Sequence, residues 1–369
     1  MAELAETLSL HGDQSWLYEA LSGHAEPSIS QYAALSLAID VPLAVLTGSV
    51  SVERSFAVAL RAGLLHDGED VKQVTGYAAR ALDDLELLLS WFPEQRNERL
   101  QLLKLAKRAC SWTGFALKAG RQTAENFRDI LEISDGPILD MAFVVESLGI
   151  PVILTPMPES LHGITVRDDS GRSAETVIMV NSNDWWGRQR FTLAHELCHV
   201  LFEDSGTLTV NEKQAAAEAP NLNELRADVF ARHLLAPNGA VRKFWRSSDV
   251  SSRRSMSATL GEFMLRFGMS WQASVVTLSD CCGVSREALQ DLKPGRIEDL
   301  MRDAGLERRW LDACLGQNEP APSSWMLSMA LEAYASGLVS SSVVASVLGR
   351  DDVAAVEEEL RDEGWISDH

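Results

Sequence analysis

The chain contains the stretch Phe191-Thr-Leu-Ala-His195-Glu196-Leu-Cys-His199-Val-Leu-Phe202, in which two histidines are four residues apart. On an α-helix this spacing places His195 and His199 on one face, one turn apart, so both imidazoles can reach one metal ion. Glu196 lies beside them and can accept a proton from water. The other residues are mostly apolar, which predicts a buried helix. Because unpaired buried polar groups are costly, the histidines indicate either a metal site or core residues hydrogen-bonded to backbone.

A third ligand is expected, because a hydrolytic zinc site takes three protein ligands and keeps a position for water. Twenty-five residues after His199 come Glu224 and, four residues later, Asp228 on the same helix face. We predict Glu224 as the third ligand and Asp228 as the acceptor for the far N–H of a ligating histidine. The rival third ligand is His233, about half a turn off that face. The alternative for the two acids is an exposed charged face.

Two further residues near these motifs carry less specific signals. His162 is a single histidine at the start of a predicted strand, and such a residue is more often structural than catalytic. It is nevertheless a candidate for stabilising the oxyanion of a tetrahedral intermediate. Cys198 lies inside the motif but points away from the face that carries the histidines, so we predict a small core residue there.

Upstream of the motif the sequence changes from helical to β-rich patterns. A helix is predicted from about Ile138 to Leu148, and Gly149 ends it. Runs of β-branched residues predict three short strands, at 151–155, 163–166 and 176–180. The predicted fold class is therefore α+β, mainly helical, with a small three-stranded sheet beside the helices that carry the chemistry.

Four regions are predicted along the chain from changes in pattern and from breaks at glycine and proline. They are a region of short helices (1–60), a helical linker domain (61–130), the catalytic α+β domain (131–240) and a helical C-terminal domain (255–369).

Composition narrows the functional classes. The 33 basic and 53 acidic residues give a net charge of −20, which disfavours general nucleic-acid binding and favours a basic partner. The five cysteines are odd in number and lack CxxC spacing, as is typical of a reducing cytoplasm. No apolar run approaches 18 residues, and the first 15 residues do not resemble a signal peptide. We therefore expect a cytoplasmic protein with no membrane contact.

The stretch from about Ile138 to Pro237 resembles the ImmA/IrrE family of gluzincin-like metallopeptidases. The resemblance rests on four segments: Leu148-Gly-Ile-Pro151, Ile178-Met-Val-Asn181, Arg190-Phe-Thr-Leu-Ala-His-Glu-Leu-Cys-His199 and Glu224-x-x-Ala-Asp-x-Phe-Ala231-x-x-Leu-Leu-x-Pro237. It implies a zincin-like domain in which His195, His199 and Glu224 bind the metal and Glu196 is the general base. The sequence departs from the family at Cys198, where glycine is usual, and at Ala236, where methionine is frequent.

The N-terminal region has a second resemblance, to part of a helix-turn-helix module of the XRE type. Ser22-Gly-His-Ala-Glu-Pro-Ser28 and the following stretch from Tyr32 to Gly48 are similar to the back half of such a module. The first lysine or arginine of the chain, however, is Arg54. A recognition helix without a cation cannot hold phosphates through charge, so direct DNA binding is not expected and the module is interpreted as degenerate.

The resemblance implies a regulatory endopeptidase, dependent on Zn²⁺ with Mn²⁺ as the alternative. Its expected substrate is a DNA-binding repressor of the helix-turn-helix type, whose limited cleavage induces stress-response or mobile-element genes. The acidic surface is expected to help dock a basic repressor. Two alternatives keep the metal for structure or sensing: a non-proteolytic transcription regulator, and a protein that sequesters the repressor without cutting it.

Overall fold

The structure is a computed structural model that describes residues 28, 31–32, 69–112, 114–159, 161–167, 175–204, 208–210, 222–248, 250–293, 295–315 and 319–365. The helix-turn-helix-like region predicted for 1–60 lies outside the described residues, apart from residues 28, 31 and 32. That interpretation therefore stays a prediction.

The described residues form fifteen helices and four strands. The helices before the sheet are α1 (Glu69–Trp91), α2 (Pro93–Lys107), α3 (Ala116–Ile130) and α4 (Met141–Ser147). The strands are β1 (Val152–Thr155), β2 (Leu161–Arg167), β3 (Thr176–Asn181) and β4 (Leu208–Val210). Helix α5 (Trp186–Phe202) lies between β3 and β4 in the chain, and helix α6 (Leu222–Leu235) follows β4. The helices that follow are α7 (Asn238–Arg246), α8 (Arg253–Phe267), α9 (Trp271–Cys282), α10 (Arg286–Gln290), α11 (Ile297–Asp303), α12 (Glu307–Cys314), α13 (Ser324–Ala335), α14 (Ser341–Val347) and α15 (Val353–Asp362).

The predicted fold class, mainly helical α+β, is confirmed. The strands lie in the order β1-β3-β2-β4, with β1 parallel to β3 and both other pairs antiparallel. All residues of the central strand β3 are buried, which explains its continuous apolar sequence. The three predicted strands are present within about two residues of their expected bounds, and β4 is a fourth strand that the sequence did not predict.

Helices cover both faces of this sheet. Alternate side chains of β3 explain this, since Ile178 and Val180 pack into a first hydrophobic cluster while Val177 and Met179 pack into a second. The first cluster includes helices α2 to α6, and the second includes α1, α13, α14 and α15. A third cluster joins α7 to α12. The sheet therefore lies between the helices that carry the predicted site and a layer built from both ends of the described chain.

The first cluster crosses the domain boundary that the sequence predicts at residue 130. Leu103 and Phe127, from the predicted linker domain, share this cluster with Leu201 and Phe230 of the catalytic helices. The domain boundaries stay predictions, but the shared core means that α2 and α3 support the catalytic helices directly. Among the described helices, none has the length and apolar content needed to cross a membrane.

The helix predicted to end at Gly149 is α4. Asp140 precedes it, and its side chain accepts a hydrogen bond from the Phe143 backbone N–H, a standard N-terminal cap. Gly149 follows the helix with φ of 79°, and a Cβ there would lie 2.7 Å from the Cβ of Arg99. Both the backbone angle and the close contact with α2 therefore require glycine at this position.

Candidate metal centre

The predicted active-site helices α5 and α6 pack against each other inside the first cluster. Every residue of α5 from Thr192 to Phe202 is buried, which agrees with its mostly apolar sequence. On its other side α6 packs against α3, and Gly120 of α3 permits a close approach. A Cβ at Gly120 would lie 2.4 Å from the backbone oxygen of Arg226. The positions of the side chains on α6 are thus fixed from both sides.

Three of the predicted residues come together between these helices. The Nε2 atoms of His195 and His199 are 3.1 Å apart. Glu224 lies opposite, with Oε2 3.1 Å from His195 Nε2 and Oε1 3.5 Å from His199 Nε2. One donor atom from each residue lies within 4.8 Å of the others, so the group could hold a single metal ion. Both histidines are buried, whereas the Glu224 side chain is 35% exposed, so solvent reaches the group from the side of α6.

Each histidine uses its other ring nitrogen to bind an aspartate. His195 Nδ1 lies 3.0 Å from Asp228 Oδ1, the contact that the spacing of Glu224 and Asp228 predicted. His199 Nδ1 lies 2.8 Å from Asp204 Oδ2, a contact that sequence reasoning missed. A carboxylate at Nδ1 favours the tautomer in which Nε2 keeps a free lone pair, so both rings present a metal-binding atom to the group.

The electrostatics of the group are those of paired opposite charges. Burial alone would lower the pKa of His195, but hydrogen bonds with Asp228 and Glu224 outweigh burial and raise it to about 10. For Glu224 burial would raise the pKa, and the two histidines outweigh it and hold the pKa well below its ordinary value. A divalent cation would take the place of the protons on the histidines, so metal binding to this group releases protons.

Glu196 is fully buried beside the group and is held by strand β2. The hydroxyl of Thr165 donates a hydrogen bond of 2.5 Å to Glu196 Oε2. Two residues earlier on the same strand, Gly163 packs against α5, where a Cβ would lie 2.4 Å from Thr192 Cγ2 and 3.6 Å from Glu196 Cγ. Glycine at this position therefore brings Thr165 within reach of Glu196. Sequence reasoning missed Thr165, although Gly163 inside a strand is a signal of close backbone approach.

The structure places His162 in a separate cluster. Its Nδ1 lies 2.7 Å from Asp184 Oδ2, and Nη2 of Arg188 lies 2.6 Å from its Nε2. Both ring nitrogens thus have partners, and His162 is not part of the three-residue group. Its role as an oxyanion stabiliser stays a prediction, which would require His162 to release Arg188.

The structure also separates His233 and Cys198 from the group. His233 Nδ1 lies 2.9 Å from the Val229 backbone oxygen of its own helix, and burial lowers its pKa. The rival third ligand is therefore not brought to the two histidines. Cys198 is fully buried in the first cluster, as predicted, and burial raises the pKa of its thiol.

Comparison with known families confirms the resemblance that the motifs suggested. Residues 145–279 match the model of the Peptidase_M78 family, described as the IrrE N-terminal-like domain. The matched segment contains His195, Glu196, His199 and Glu224, and it extends beyond residue 240 to include α7, α8 and most of α9. A search of curated proteins found no match to the chain. The segment is thus similar to the peptidase domain of the ImmA/IrrE family, and this similarity suggests a metallopeptidase with a metal cofactor.

Proposed function

We propose that the protein is a zinc-dependent endopeptidase that makes a limited, regulatory cut in a helix-turn-helix repressor. The observation that supports this best is the convergence of two Nε2 atoms and one carboxylate within 4.8 Å, beside a buried glutamate. The family match supports the peptidase part of the proposal. The repressor as substrate comes from the resemblance and from the acidic charge of the chain.

The donor set fits zinc. Two imidazole nitrogens and one carboxylate oxygen are the ligand types and the ligand number that hydrolytic zinc sites use. His195, His199 and Glu224 would hold the ion, and Mn²⁺ is the less favoured alternative because imidazole nitrogens suit zinc better. When bound, the ion polarises a peptide carbonyl and lowers the pKa of water at its open position.

Glu196 and Thr165 supply the proton transfer in this proposal. Glu196 accepts a proton from the attacking water on one carboxylate oxygen, while the other oxygen stays hydrogen-bonded to Thr165. Because the side chain is buried and Thr165 holds Oε2, Glu196 stays close to the metal group and is shielded from bulk solvent. Glu196 then gives the proton to the leaving amine.

The acidic surface supports a basic partner. With a net charge of −20, the chain attracts cationic surfaces through long-range electrostatics, and salt screens this attraction. A repressor that binds DNA through lysine and arginine has the complementary charge. Cleavage of such a substrate should therefore slow as ionic strength rises, and neutralising substitutions on the repressor should have the same effect.

The experiment compares wild type with Glu196→Gln, which keeps the size of the side chain and the metal ligands but removes the base. Both are produced in the same cells, and newly formed protein N-termini are mapped by mass spectrometry. We expect a new N-terminus inside a basic DNA-binding protein with the wild type only, and capture of the same protein uncut by Glu196→Gln.

Two results would contradict the proposal. If both forms bind the repressor and neither cuts it, the sequestering function replaces proteolysis. If purified protein retards promoter DNA in a gel shift at physiological salt, the function is that of a transcription regulator.

A further inference from the structure

Helix α5 ends in a turn that returns the chain to His199. Glu203 follows the helix in the left-handed region, with φ of 57° and ψ of 34°, where glycine is the usual residue. The backbone N–H of Asp204 then donates to the His199 carbonyl at 3.1 Å. The Glu203 side chain accepts from Lys107 Nζ at 2.6 Å, so α2 holds the turn from outside. The turn therefore brings both the backbone and the carboxylate of Asp204 to His199.

A mostly buried arginine, Arg226, holds the carboxylate of Asp204 in place. Nη2 of Arg226 lies 2.7 Å from Asp204 Oδ1 and 2.5 Å from Oδ2. Arg226 lies on α6 between Glu224 and Asp228, and its guanidinium carbon is 3.7 Å from the ring centroid of Phe202. The side chains of Asp204 and Arg226 are 9% and 12% exposed. Removal of either one would leave a charge of the other sign buried without its main partner.

The aspartate on the other histidine has a different environment. The Asp228 side chain is 54% exposed and accepts from His195 Nδ1 at 3.0 Å. Water competes for the exposed Asp228 carboxylate, so its side chain can adopt several rotamers. The Asp204 carboxylate is held by Arg226 and is restricted to one position. Of the two aspartates, Asp204 is thus the one whose geometry is fixed by its surroundings.

We propose that Asp204 and Arg226 form a positioning pair that orients His199 for metal binding and contributes more to metal affinity than Asp228 does. The pair fixes the tautomer and ring orientation of His199, so Nε2 points at His195 and Glu224. This inference rests on the metal centre of the proposed function, but it does not depend on which substrate is cut. It also links α5 and α6 through charge, since Asp204 follows one helix and Arg226 lies on the other.

The test measures the dissociation constant for Zn²⁺ by competition with a chelator of known affinity. Asp204→Asn keeps the shape of the side chain, and we expect it to weaken zinc binding by about 10- to 100-fold. Arg226→Met should also weaken zinc binding. The variant with both substitutions should bind zinc no more weakly than the weaker-binding single variant, because the two residues act as one unit. Asp228→Asn should reduce zinc affinity by a smaller factor than Asp204→Asn does. A changed absorption spectrum of the Co²⁺-substituted Asp204→Asn protein would show altered ligand geometry.

The matched control is Asp184→Asn, which removes the carboxylate charge from a histidine–aspartate contact of the same type at His162, outside the group. It should leave zinc affinity unchanged. The inference is overturned if Asp204→Asn binds zinc as tightly as wild type does, or if Asp228→Asn reduces zinc affinity more than Asp204→Asn does. If Asp204→Asn does not fold, Arg226→Met tests the pair from the other side, because it removes the positive charge that holds Asp204, and wild-type zinc affinity in that variant overturns the inference.

The same measurements separate this inference from the proposed function. Normal zinc affinity in Asp204→Asn with loss in Glu224→Gln would leave the metal centre standing and refute the positioning pair. Tight, Asp204-dependent zinc binding by a protein that cuts nothing would refute the peptidase proposal and leave the positioning pair standing.

Discussion

Two regions along helix α5 each pair histidine with aspartate, and they differ in what meets the second ring nitrogen. Near the N-terminal end of the helix, His162 binds Asp184 through Nδ1 and meets the Arg188 guanidinium at Nε2. Near the C-terminal end, His195 and His199 also bind aspartates through Nδ1, but their Nε2 atoms meet each other and Glu224. In the first region an arginine meets the second ring nitrogen, whereas in the second region three donor atoms converge that could bind one metal ion.

The difference shows that a histidine–aspartate pair does not by itself indicate a metal site. The pair sets the tautomer, and the group at the opposite nitrogen decides what the ring can bind. At His162, Arg188 donates a hydrogen bond to that nitrogen and so occupies its lone pair. Where a second imidazole and a carboxylate lie near that nitrogen, the lone pairs of all three groups point toward one position. A divalent cation at that position can bind all three.

Among substitutions in the two regions, the loss of the proposed general base, Glu196, should have the greatest effect on activity. Glu196→Gln should reduce cleavage of the identified substrate by a factor of about 10² to 10⁴, because glutamine cannot accept a proton. Zinc content should stay at the wild-type value, since Glu196 is not one of the three donors. The rate is measured under single-turnover conditions. Retained cleavage at the wild-type rate would remove Glu196 from the mechanism.

A smaller effect is expected from Thr165. Thr165→Val keeps the shape of the side chain but removes the hydroxyl that holds Glu196, and we expect kcat to fall about tenfold with KM unchanged. Thr165→Ser keeps a hydroxyl and should recover most of the loss. If valine and serine variants lose activity equally, the hydroxyl does not position Glu196 and its contact is only structural.

Local spacing predicted much of the site, because its central contacts repeat with the helix. His195 with His199, and Glu224 with Asp228, are each four residues apart, so the faces that they share follow from one turn of helix. Asp204 and Thr165 could not be found in this way. Their contacts depend on the turn at Glu203 and on the register of β2 against α5, and no local period encodes either one.

The same limit applies to the fold. Strands β1, β2 and β3 are β-branched runs bounded by turn residues, so their pattern predicted them. Strand β4 has three residues and exists through its pairing with β2, which a pattern of that length cannot predict. The shared core of α2 and α3 with the catalytic helices is likewise a long-range feature that a linear division into domains does not reveal.

Substitution of His162, in the region that contains Asp184 and Arg188, should have the smallest effect on activity. His162→Gln should leave zinc content unchanged and reduce kcat by less than about tenfold, because Arg188 and Asp184 occupy the ring and no donor of the metal group is lost. Metal analysis and steady-state kinetics check the two parts separately. A fall in kcat of about 10² to 10³ would instead identify His162 as a stabiliser of the oxyanion.

The most direct measurement is the zinc content of purified protein, by mass spectrometry, for wild type, Glu224→Ala and His233→Ala. Glu224 and His233 are the two candidates for the third ligand, and the structure brings only Glu224 to His195 and His199. We expect one zinc per chain in wild type and in His233→Ala, and loss of zinc in Glu224→Ala. No zinc in wild type after the metal is resupplied, or loss of zinc with His233 and not with Glu224, would contradict this expectation.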